Sequence, residues 1–344
     1  MDPVEVGLSI SGLIQQPRGL DMRARLQEVL EWVSWARDGG FDYITTGQHF
    51  LSSPYEALQP LPLLARLAPE AGDMRLVATI LMPLHQPVEL AELTASLDVI
   101  TGGRLTISAS RGYREVEFRS FGIRPDDVTG RMVECIECLI GLWSGDEFSY
   151  RGAHHRLEGA TIGILPVQRP HPPVWMAANA DAAVRRAARL GLPWNINSHA
   201  DYATIERQVG LYREAARESG HDPDRPLPMG RELYCAPTRK QAYEDAAQYL
   251  RAKYDVYAGW GQDRVLPGRP SFRASFDELA RDRFIIGSPD DCASELQRYT
   301  KLGVGSCHLR MNWPGMPAAL SRQSLQLFVT EMLPALRVAG SPGC

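Results

Sequence analysis

Short apolar runs rich in β-branched residues alternate with longer amphipathic stretches along almost the whole chain. The first run, residues 4–10, precedes a stretch with helical spacing at residues 21–38 that ends at Gly39-Gly40. The alternation predicts strands at residues 4–10, 42–46, 75–82, 104–108, 174–177, 194–196, 232–236 and 306–310. It predicts helices at residues 21–38, 60–67, 88–100, 127–143, 181–190, 202–219, 239–257 and 321–336.

Eight strand–helix repeats in one chain indicate an α/β fold, a single (β/α)8 TIM barrel that forms one domain over residues 1–344. A doubly wound open sheet is the alternative, and the count of eight argues against it. Residues 147–158 interrupt the repeat and are predicted to form an inserted β-hairpin. Residues 259–282 are rich in Gly, Pro and Arg, and a connection of this length predicts a long mobile loop before strand eight that serves as a lid.

The charges of the chain nearly balance, with 37 Lys and Arg against 41 Asp and Glu, which gives a formal net charge of −4 over 344 residues. Together with 44% hydrophobic residues, this balance excludes a disordered chain and a polybasic nucleic-acid-binding protein. No apolar run approaches the roughly 20 residues that cross a bilayer, and the first residues lack the pattern of a signal peptide. We therefore expect a cytoplasmic protein that binds neither nucleic acid nor membranes.

A histidine follows the second predicted strand, at the end of a barrel where the βα loops carry catalytic groups. This residue, His49, lies in a loop opened by Gly47. Imidazole is the usual proton-transfer group near neutral pH, so His49 is the catalytic candidate. The alternative is a loop histidine that only bonds a neighbouring carbonyl.

Two further segments at strand ends are suited to an anion. Ser110-Arg111-Gly112 follows the fourth strand, and the Arg111 guanidinium can bind a phosphate through two hydrogen bonds while its small neighbours let a ligand approach the backbone. Asn179-Ala180-Asp181 opens a helix, whose free N–H groups and dipole attract anions. Asp181 itself is predicted to cap that helix. We expect Arg111, unless it is only a surface ion-pair partner, to hold one phosphate together with this helix start.

Aromatic residues near the strand ends suggest the substrate class. They are Phe50, Tyr55, Trp194 and Trp313. If they face the barrel mouth, they form a binding surface for a hydrophobic organic molecule; the alternative for each is a place in the core.

Other chemistries lack their sequence signals. Cys135 and Cys138 have the spacing of a metal or redox pair, but they lie within a predicted amphipathic helix without a second pair, so buried thiols and no metal site are expected. The chain contains no phosphate-binding P-loop, no G-x-G-x-x-G after a strand, no G-x-S-x-G and no H-E-x-x-H. These absences argue against nucleotide triphosphatases, dinucleotide-fold dehydrogenases, serine hydrolases and zinc proteases.

A series of motifs runs through nearly the whole chain. They are Phe41-Asp42-Tyr43, Gly47-Gln48-His49-Phe50, Pro87-Val88-Glu89-Leu90-Ala91-Glu92, Leu97-Asp98, Gly102-Gly103-Arg104-Leu105, Ser110-Arg111-Gly112-Tyr113, Glu117-Phe118-Arg119-Ser120-Phe121-Gly122, Pro172-Pro173-Val174-Trp175, Gly287-Ser288-Pro289 and Glu331-Met332-Leu333-Pro334. In this order they resemble the luciferase-like flavin-dependent monooxygenases, the family of bacterial luciferase. Residues 97–122 carry the most specific part of the resemblance. The family folds as a (β/α)8 barrel, in agreement with the strand count.

The resemblance implies a flavoprotein oxidoreductase. Members similar to bacterial luciferase take reduced FMN (FMNH2) from a separate flavin reductase, add O2 to it, and oxygenate an organic substrate through a flavin C4a-(hydro)peroxide. The implied function is thus an FMNH2- and O2-dependent, two-component monooxygenase, and a homodimer is expected. Other members use the deazaflavin F420 for hydride transfer, which is the alternative. A flavin-binding protein without activity is a third interpretation, against which the presence of both His49 and Arg111 argues.

The resemblance also assigns roles by position. The family's mouth histidine falls on His49, its phosphate-binding arginine on Arg111, and a residue beside the flavin ring on Ser110. A non-proline cis peptide of the family falls on Ala78-Thr79, which places these two residues at the cofactor as well. Gln48 stands where bacterial luciferase has Glu, so the resemblance provides no carboxylate next to the imidazole.

Overall fold

Eight parallel strands close into a barrel in the computed structural model, which describes residues 4–338 and leaves the two ends of the predicted 1–344 domain outside the described part. The barrel strands are β1 Glu5–Ser9, β2 Tyr43–Gly47, β3 Arg75–Leu81, β4 Leu105–Ser110, β5 Val174–Ala178, β6 Trp194–Ile196, β7 Leu227–Cys235 and β8 Val304–Arg310. Each of the eight strands pairs with the next, and β8 pairs with β1, so the barrel is closed. The predicted (β/α)8 barrel is confirmed.

Helices follow the strands and cover the outside of the barrel. The long helices are Met22–Asp38, Pro60–Leu67, Pro87–Ile100, Val128–Trp143, Asp181–Arg189, Tyr202–Glu218, Arg239–Trp260, Pro289–Thr300 and Ala318–Leu327, which continues through a π turn at Phe328–Met332 into Leu333–Val338. Short helical segments lie at Ser11–Ile14, Met82–Leu84, Glu115–Ser120, Gln262–Val265 and Phe276–Ala280. Within residues 4–338, no helix is both long and apolar enough to span a membrane.

The sequence encodes the starts of these helices locally. The Asp21 carboxylate accepts hydrogen bonds from the backbone N–H groups of Arg23 and Ala24, which have no acceptor inside the helix. Pro60 and Pro87 begin their helices, where the missing N–H costs nothing. The predicted helix boundaries therefore lie close to the observed ones.

Smaller elements decorate the barrel. Phe148–Arg151 and Arg156–Ala160 form an antiparallel hairpin, and Gln15–Pro17 pairs with Tyr55–Ala57 beside the barrel mouth. Ile285–Gly287 extends the sheet next to β7. The last two pairings have no counterpart in the sequence prediction, since strands of three residues carry almost no periodicity.

Side chains fill the amino-terminal half of the barrel, at the starts of the strands. The ring of Tyr43 meets Trp175 edge to face with 6.0 Å between centroids and lies 6.3 Å from the His308 ring. A Cβ atom at Gly7 would come within 2.3 Å of the Tyr43 ring, so only glycine leaves room for it. Burial lowers the pKa of His308 to about 3, which keeps its ring neutral in this plug. Open space for a ligand is left at the carboxyl ends of the strands.

The peptide bond between Ala78 and Thr79 is trans, so the cis bond implied by the resemblance is wrong for this structure; within residues 4–338 the cis bonds are Ser53–Pro54 and Arg169–Pro170. The physical reason is the regular sheet around it. Ala78 pairs with Thr46 and Ile107, and Thr79 pairs with Gly47 and Ser108, so the ladder runs unbroken on both sides of β3.

Candidate active site

A cavity of about 980 Å³ opens at the carboxyl ends of the barrel strands. Its volume lies at the upper end of the range of ligand pockets. The structure brings most of the predicted cofactor and catalytic residues to its wall: His49, Thr79, Ser110, Arg111, Gly112, Asn179, Ala180 and Asp181. Ala78 does not reach the wall, because it is fully buried in β3. These residues come from the ends of four strands, β2, β3, β4 and β5, and meet at a single site.

His49 is held by a carboxylate from a distant part of the chain. Its Nδ1 lies 3.3 Å from Oε1 of the fully buried Glu117, which is 68 residues further on. The same oxygen accepts from the backbone N–H of Phe50 at 2.9 Å and from Arg114 at 3.2 Å. A hydrogen on Nδ1 satisfies Glu117 and leaves Nε2 as the nitrogen free to exchange a proton. The expectation of an imidazole without a carboxylate neighbour is therefore wrong.

Glu117 belongs to the motif Glu117-Phe118-Arg119, and no role was predicted for it. It lies in the helix Glu115–Ser120, and only the closed barrel brings this helix against the loop after β2. Gln48 does not contact the His49 ring in this way. Its amide oxygen accepts a hydrogen bond from the backbone N–H of Leu81 at 2.9 Å and lies 3.0 Å from Nε2 of His85. Gln48 thereby ties the loop after β2 to the end of β3.

Two arginines and a helix start form one side of the cavity, which we call the Arg111 side: Arg111, Arg186 and residues 180–182. The Arg111 Nε donates to the Thr129 hydroxyl at 2.9 Å. Among the described residues neither Arg111 nor Arg186 has an ion-pair partner within 4 Å, and burial together with the charge of Arg186 lowers the pKa of Arg111. Two neighbouring cations at a helix start, where N–H groups lack acceptors, form a site for a phosphate-like anion.

Asp181 does not cap its helix. The N-cap is Ala180, and Asp181 is the first helical residue. Its carboxylate instead accepts two hydrogen bonds from Arg207, at 2.6 and 2.9 Å, and one from Gln208 at 2.9 Å. The predicted capping role is wrong because the next helix supplies this stronger, bidentate partner. The pairing also withdraws the negative charge of Asp181 from the neighbouring anion site.

The opposite wall, which we call the Arg310 side, consists of Tyr113, Asn197, His199, Tyr257 and Arg310. Behind it, the fully buried Glu232 accepts hydrogen bonds from Lys253, from Arg310 at 3.1 Å and from the Trp313 indole at 2.5 Å. Burial alone would raise the pKa of Glu232, but Lys253 and Arg310 hold it below its ordinary value. Burial and the charge of Arg310 lower the pKa of Lys253 to about 7.

Among these residues Tyr113 belongs to a sequence motif of the family, but no role was predicted for Arg310, Glu232 or Lys253. Glu232, Lys253 and Arg310 come from β7, from the helix Arg239–Trp260 and from the end of β8. Glu232 in β7 is the one sequence signal for these contacts, because it is a charged residue inside an apolar strand. An ionised side chain is rarely buried without partners.

The four aromatic substrate candidates do not lie on the cavity wall. Trp194 and Trp313 are fully buried, and their indole N–H groups donate to the Ala178 carbonyl and to Glu232. Tyr55 packs edge to face on Trp260, with 5.9 Å between ring centroids, and Phe50 packs on Phe121 at 4.8 Å. Each of the four side chains packs or hydrogen-bonds outside the cavity, so the wall is more polar than the sequence suggested.

The predicted lid segment contributes part of the wall. Its residues 262 and 264–269 line the cavity, whereas Phe272 is fully buried, 4.9 Å from the ring of Tyr254. Residues 259 and 260 belong to the end of the helix Arg239–Trp260. The part of the segment that can cover the site is therefore short and is anchored on both sides.

Comparison with known proteins agrees with this geometry. The chain matches the family described as luciferase-like monooxygenase over residues 6–306. It is 25% identical over 327 residues to the oxygenase component of the flavin-dependent trigonelline monooxygenase of Acinetobacter baylyi. This match covers 90% of this chain and 89% of the relative. It is 25% identical to the FMNH(2)-dependent dimethylsulfone monooxygenase of Pseudomonas putida, over 88% of this chain and 86% of the relative. F420-dependent oxidoreductases also occur among the similar proteins.

A solved structure extends the likeness to the fold. The monooxygenase RslO1 from Streptomyces bottropensis superposes with a TM-score of 0.84 at 24% identity, over 96% of this chain and 99% of that one. The family match covers most of the chain, and the closed barrel brings His49 and Arg111 to the wall of one cavity. The chain belongs to the luciferase-like monooxygenase family.

Proposed function

We propose that the chain is the oxygenase of a two-component monooxygenase that uses FMNH2 and O2 and receives its reduced flavin from a separate reductase. The observation behind this proposal is the Arg111 side, where two arginines that have no carboxylate partner among residues 4–338 lie beside a helix start. A flavin phosphate is an anion of the kind that such a site favours. The FMNH(2)-dependent relative supports FMN over other phosphorylated flavins. A homodimer and a small organic substrate belong to the same proposal.

The residues present fit such a cofactor. Arg111, Arg186 and the N–H groups at residues 181–182 would hold the phosphate, and Thr79 and Ser110 would lie beside the ring system. When bound, reduced FMN would supply the electrons that activate O2. His49 has Nδ1 engaged with Glu117, so its Nε2 would accept or return the proton of the reacting groups. The loop at residues 264–269 would exclude water from them.

Replacing Arg111 by Ala is expected to weaken FMN binding by about 1.5–3 kcal/mol, the usual contribution of a hydrogen bond to a charged group. Riboflavin lacks the phosphate, so its affinity should change little. Fluorescence titration of both flavins against wild type and variant measures the difference. Equal losses for FMN and riboflavin would show that Arg111 does not hold the phosphate.

Replacing residues 267–269 by Gly-Ser-Gly should increase the share of consumed O2 that is released as H2O2. This change removes Pro267 and Arg269 from the wall but keeps the buried anchors Leu266 and Phe272. The physical reason is the access of water to the reaction centre. The assay compares H2O2 with product during turnover with FMNH2, and FMN affinity serves as the control. Unchanged coupling of O2 to product would remove the lid role from this loop.

Hydride transfer with F420 is the alternative. F420-dependent proteins are among the relatives of this chain, and their matches cover most of its length. Titration of the protein with FMN and with F420, followed by fluorescence and thermal shift, separates the two. Tighter binding of F420, together with O2-independent oxidation of an alcohol, would replace the monooxygenase proposal.

A further inference from the structure

A second histidine lies on the cavity wall, in the loop after β6. His199 is 8% exposed, and its neighbours hold it on several sides. Its backbone N–H donates to the Asn197 side chain at 2.8 Å, and its carbonyl oxygen accepts from Arg283 Nε at 2.8 Å. Its ring packs against the rings of Tyr254 and Tyr257, with 5.6 and 5.4 Å between centroids. The imidazole of His199 therefore has a fixed orientation at the cavity.

The contacts of the ring decide which nitrogen of His199 carries the hydrogen. Nδ1 lies 3.0 Å from the Tyr254 hydroxyl, whose other acceptor, the Ser198 carbonyl, is farther away at 3.4 Å. The hydroxyl therefore donates to Nδ1, which leaves the hydrogen of the uncharged ring on Nε2. Nε2 has no hydrogen-bond partner within residues 4–338. In contrast to Nε2 of His155 and Nδ1 of His308, which also lack a partner but are closed off, it keeps accessible surface.

The surroundings of His199 keep it uncharged. Burial, together with the charges of four cations around it, holds the pKa of His199 well below its usual range: Lys253, Arg310, Arg283 and Arg231. The buried carboxylate of Glu232 is engaged with the first two of these cations and with the Trp313 indole, and it does not contact His199. His199 thus differs from His49, whose Nδ1 has a carboxylate partner. It is suited to donate a hydrogen bond from Nε2 and not to take up a proton.

A second N–H donor lies near His199. Gln15 is 5% exposed and lines the cavity, and its Oε1 accepts from the Tyr257 hydroxyl at 3.1 Å. This contact leaves Nε2 of the Gln15 amide accessible and without an acceptor within residues 4–338. Both donors contact the same tyrosine, because the Tyr257 ring also packs against that of His199. Trp260 stacks on Tyr257 at 5.3 Å and lies 5.3 Å from the His49 ring, so the donors lie near the candidate proton-transfer group.

We propose that His199 and Gln15 are substrate-binding residues, which orient the organic substrate by donating hydrogen bonds from their Nε2 atoms to an uncharged oxygen acceptor such as a carbonyl oxygen. An uncharged acceptor fits because neither donor carries a charge and the charge of Arg310 on the same wall is balanced by Glu232. The two histidines of the cavity then have different roles, proton transfer for His49 and orientation for His199. The proposal rests on the proposed function for the statement that the bound molecule is the substrate.

Long-range 1H–15N NMR of protein labelled with 15N-histidine tests the donor without any ligand, and His199→Gln assigns the signal. We expect His199 to be uncharged near neutral pH, with its hydrogen on Nε2. Tyr254→Phe removes the partner of Nδ1 and should give a mixture of the two tautomers. Tyr212→Phe is the matched control, since the Tyr212 hydroxyl donates to the Leu192 carbonyl away from the cavity wall, and it should leave the signal unchanged. A His199 that titrates near neutral pH, or that carries its hydrogen on Nδ1, would overturn the proposal.

Acetophenone and its isostere α-methylstyrene, which lacks the carbonyl oxygen, test the acceptor. At equal concentrations only acetophenone should shift the Nε2 signal of His199 in wild type. Its affinity, measured by NMR titration, should fall about 2- to 10-fold in His199→Leu, the range for a hydrogen bond between uncharged groups. Gln15→Leu should show a loss of the same size, and His199→Gln, which keeps an N–H donor, should recover part of the loss. The comparison of the two probes uses wild type alone, so it stands if a variant unfolds.

Three results with the probes would overturn the proposal. They are an unchanged His199 signal with acetophenone, equal shifts with both probes, and displacement of acetophenone by saturating FMN, which would assign these donors to the cofactor. Because the NMR signals and acetophenone binding require neither flavin nor turnover, their outcome is independent of the monooxygenase proposal. A protein that binds acetophenone through His199 but does not bind FMN would keep the donor site and reject the proposed function.

Discussion

His49→Ala is expected to bind FMN within a factor of a few of wild type and to form product about 10²–10⁴-fold more slowly, the span of general acid–base catalysis. The side chain lies on the cavity wall, but the anion site is formed by Arg111, Arg186 and a helix start. Binding should therefore survive while proton transfer is lost. FMN titration and single-turnover product formation, with a substrate identified by FMNH2-dependent O2 uptake, measure the two effects separately.

Glu117→Gln provides the matched test of how His49 is held. The amide keeps the shape of the side chain but can present an N–H to Nδ1, which favours the tautomer with the hydrogen on Nε2. We expect a lower kcat, an altered pH profile and little change in FMN affinity. His154→Ala, in the hairpin connection outside the cavity wall, is the control and should behave like wild type. Wild-type rates and pH profile in His49→Ala would reduce His49 to a structural loop residue.

Glu232→Gln should lower the free energy of unfolding by about 3–5 kcal/mol, the cost of removing one partner from a buried ion pair. Glu232 is fully buried, and the substitution removes the counter-charge of Arg310 and of Lys253, whose pKa of about 7 leaves it partly protonated at neutral pH. Adding Lys253→Met should recover part of the loss, because it removes one of these cations. Urea unfolding of wild type, single and double variants measures the effect, and Glu158→Gln, in an exposed ion pair, should change stability by less than about 1 kcal/mol.

The pH dependence of this difference has a defined sign. The pKa of Glu232 in the folded protein lies below its ordinary value of 4.5, so its charge stabilises the fold above that pH, and this contribution is lost as the pH falls through the folded value. The stability gap between wild type and Glu232→Gln should therefore close on acidification. A gap that is small at neutral pH, or that widens in acid, would contradict a stabilising role for the buried carboxylate.

The sequence by itself determined the barrel. Its eight strands are short apolar runs separated by helices with local start signals, and such signals depend only on residues near one another in the chain. The limits of this information are visible in β7, which begins at Leu227 rather than at the predicted Glu232. Pro228 and Gly230 interrupt its apolar pattern, although every residue of the strand is buried. In a parallel barrel the loops that follow the strands all lie at one end. The predicted fold therefore also placed His49, Arg111 and Asn179 at the same end.

Only the tertiary structure decided which groups touch. Glu117 reaches His49 across 68 residues, and Glu232, Lys253 and Arg310 come together from three separate elements. No local pattern encodes these contacts, because they depend on the relative placement of strands and helices around the closed sheet. Whether a Trp near a strand end faces the cavity or the core is decided in the same way. Trp194 and Trp313 lie in the core, where their indole N–H groups have hydrogen-bond acceptors. The cavity wall therefore carries charged and polar side chains in their place.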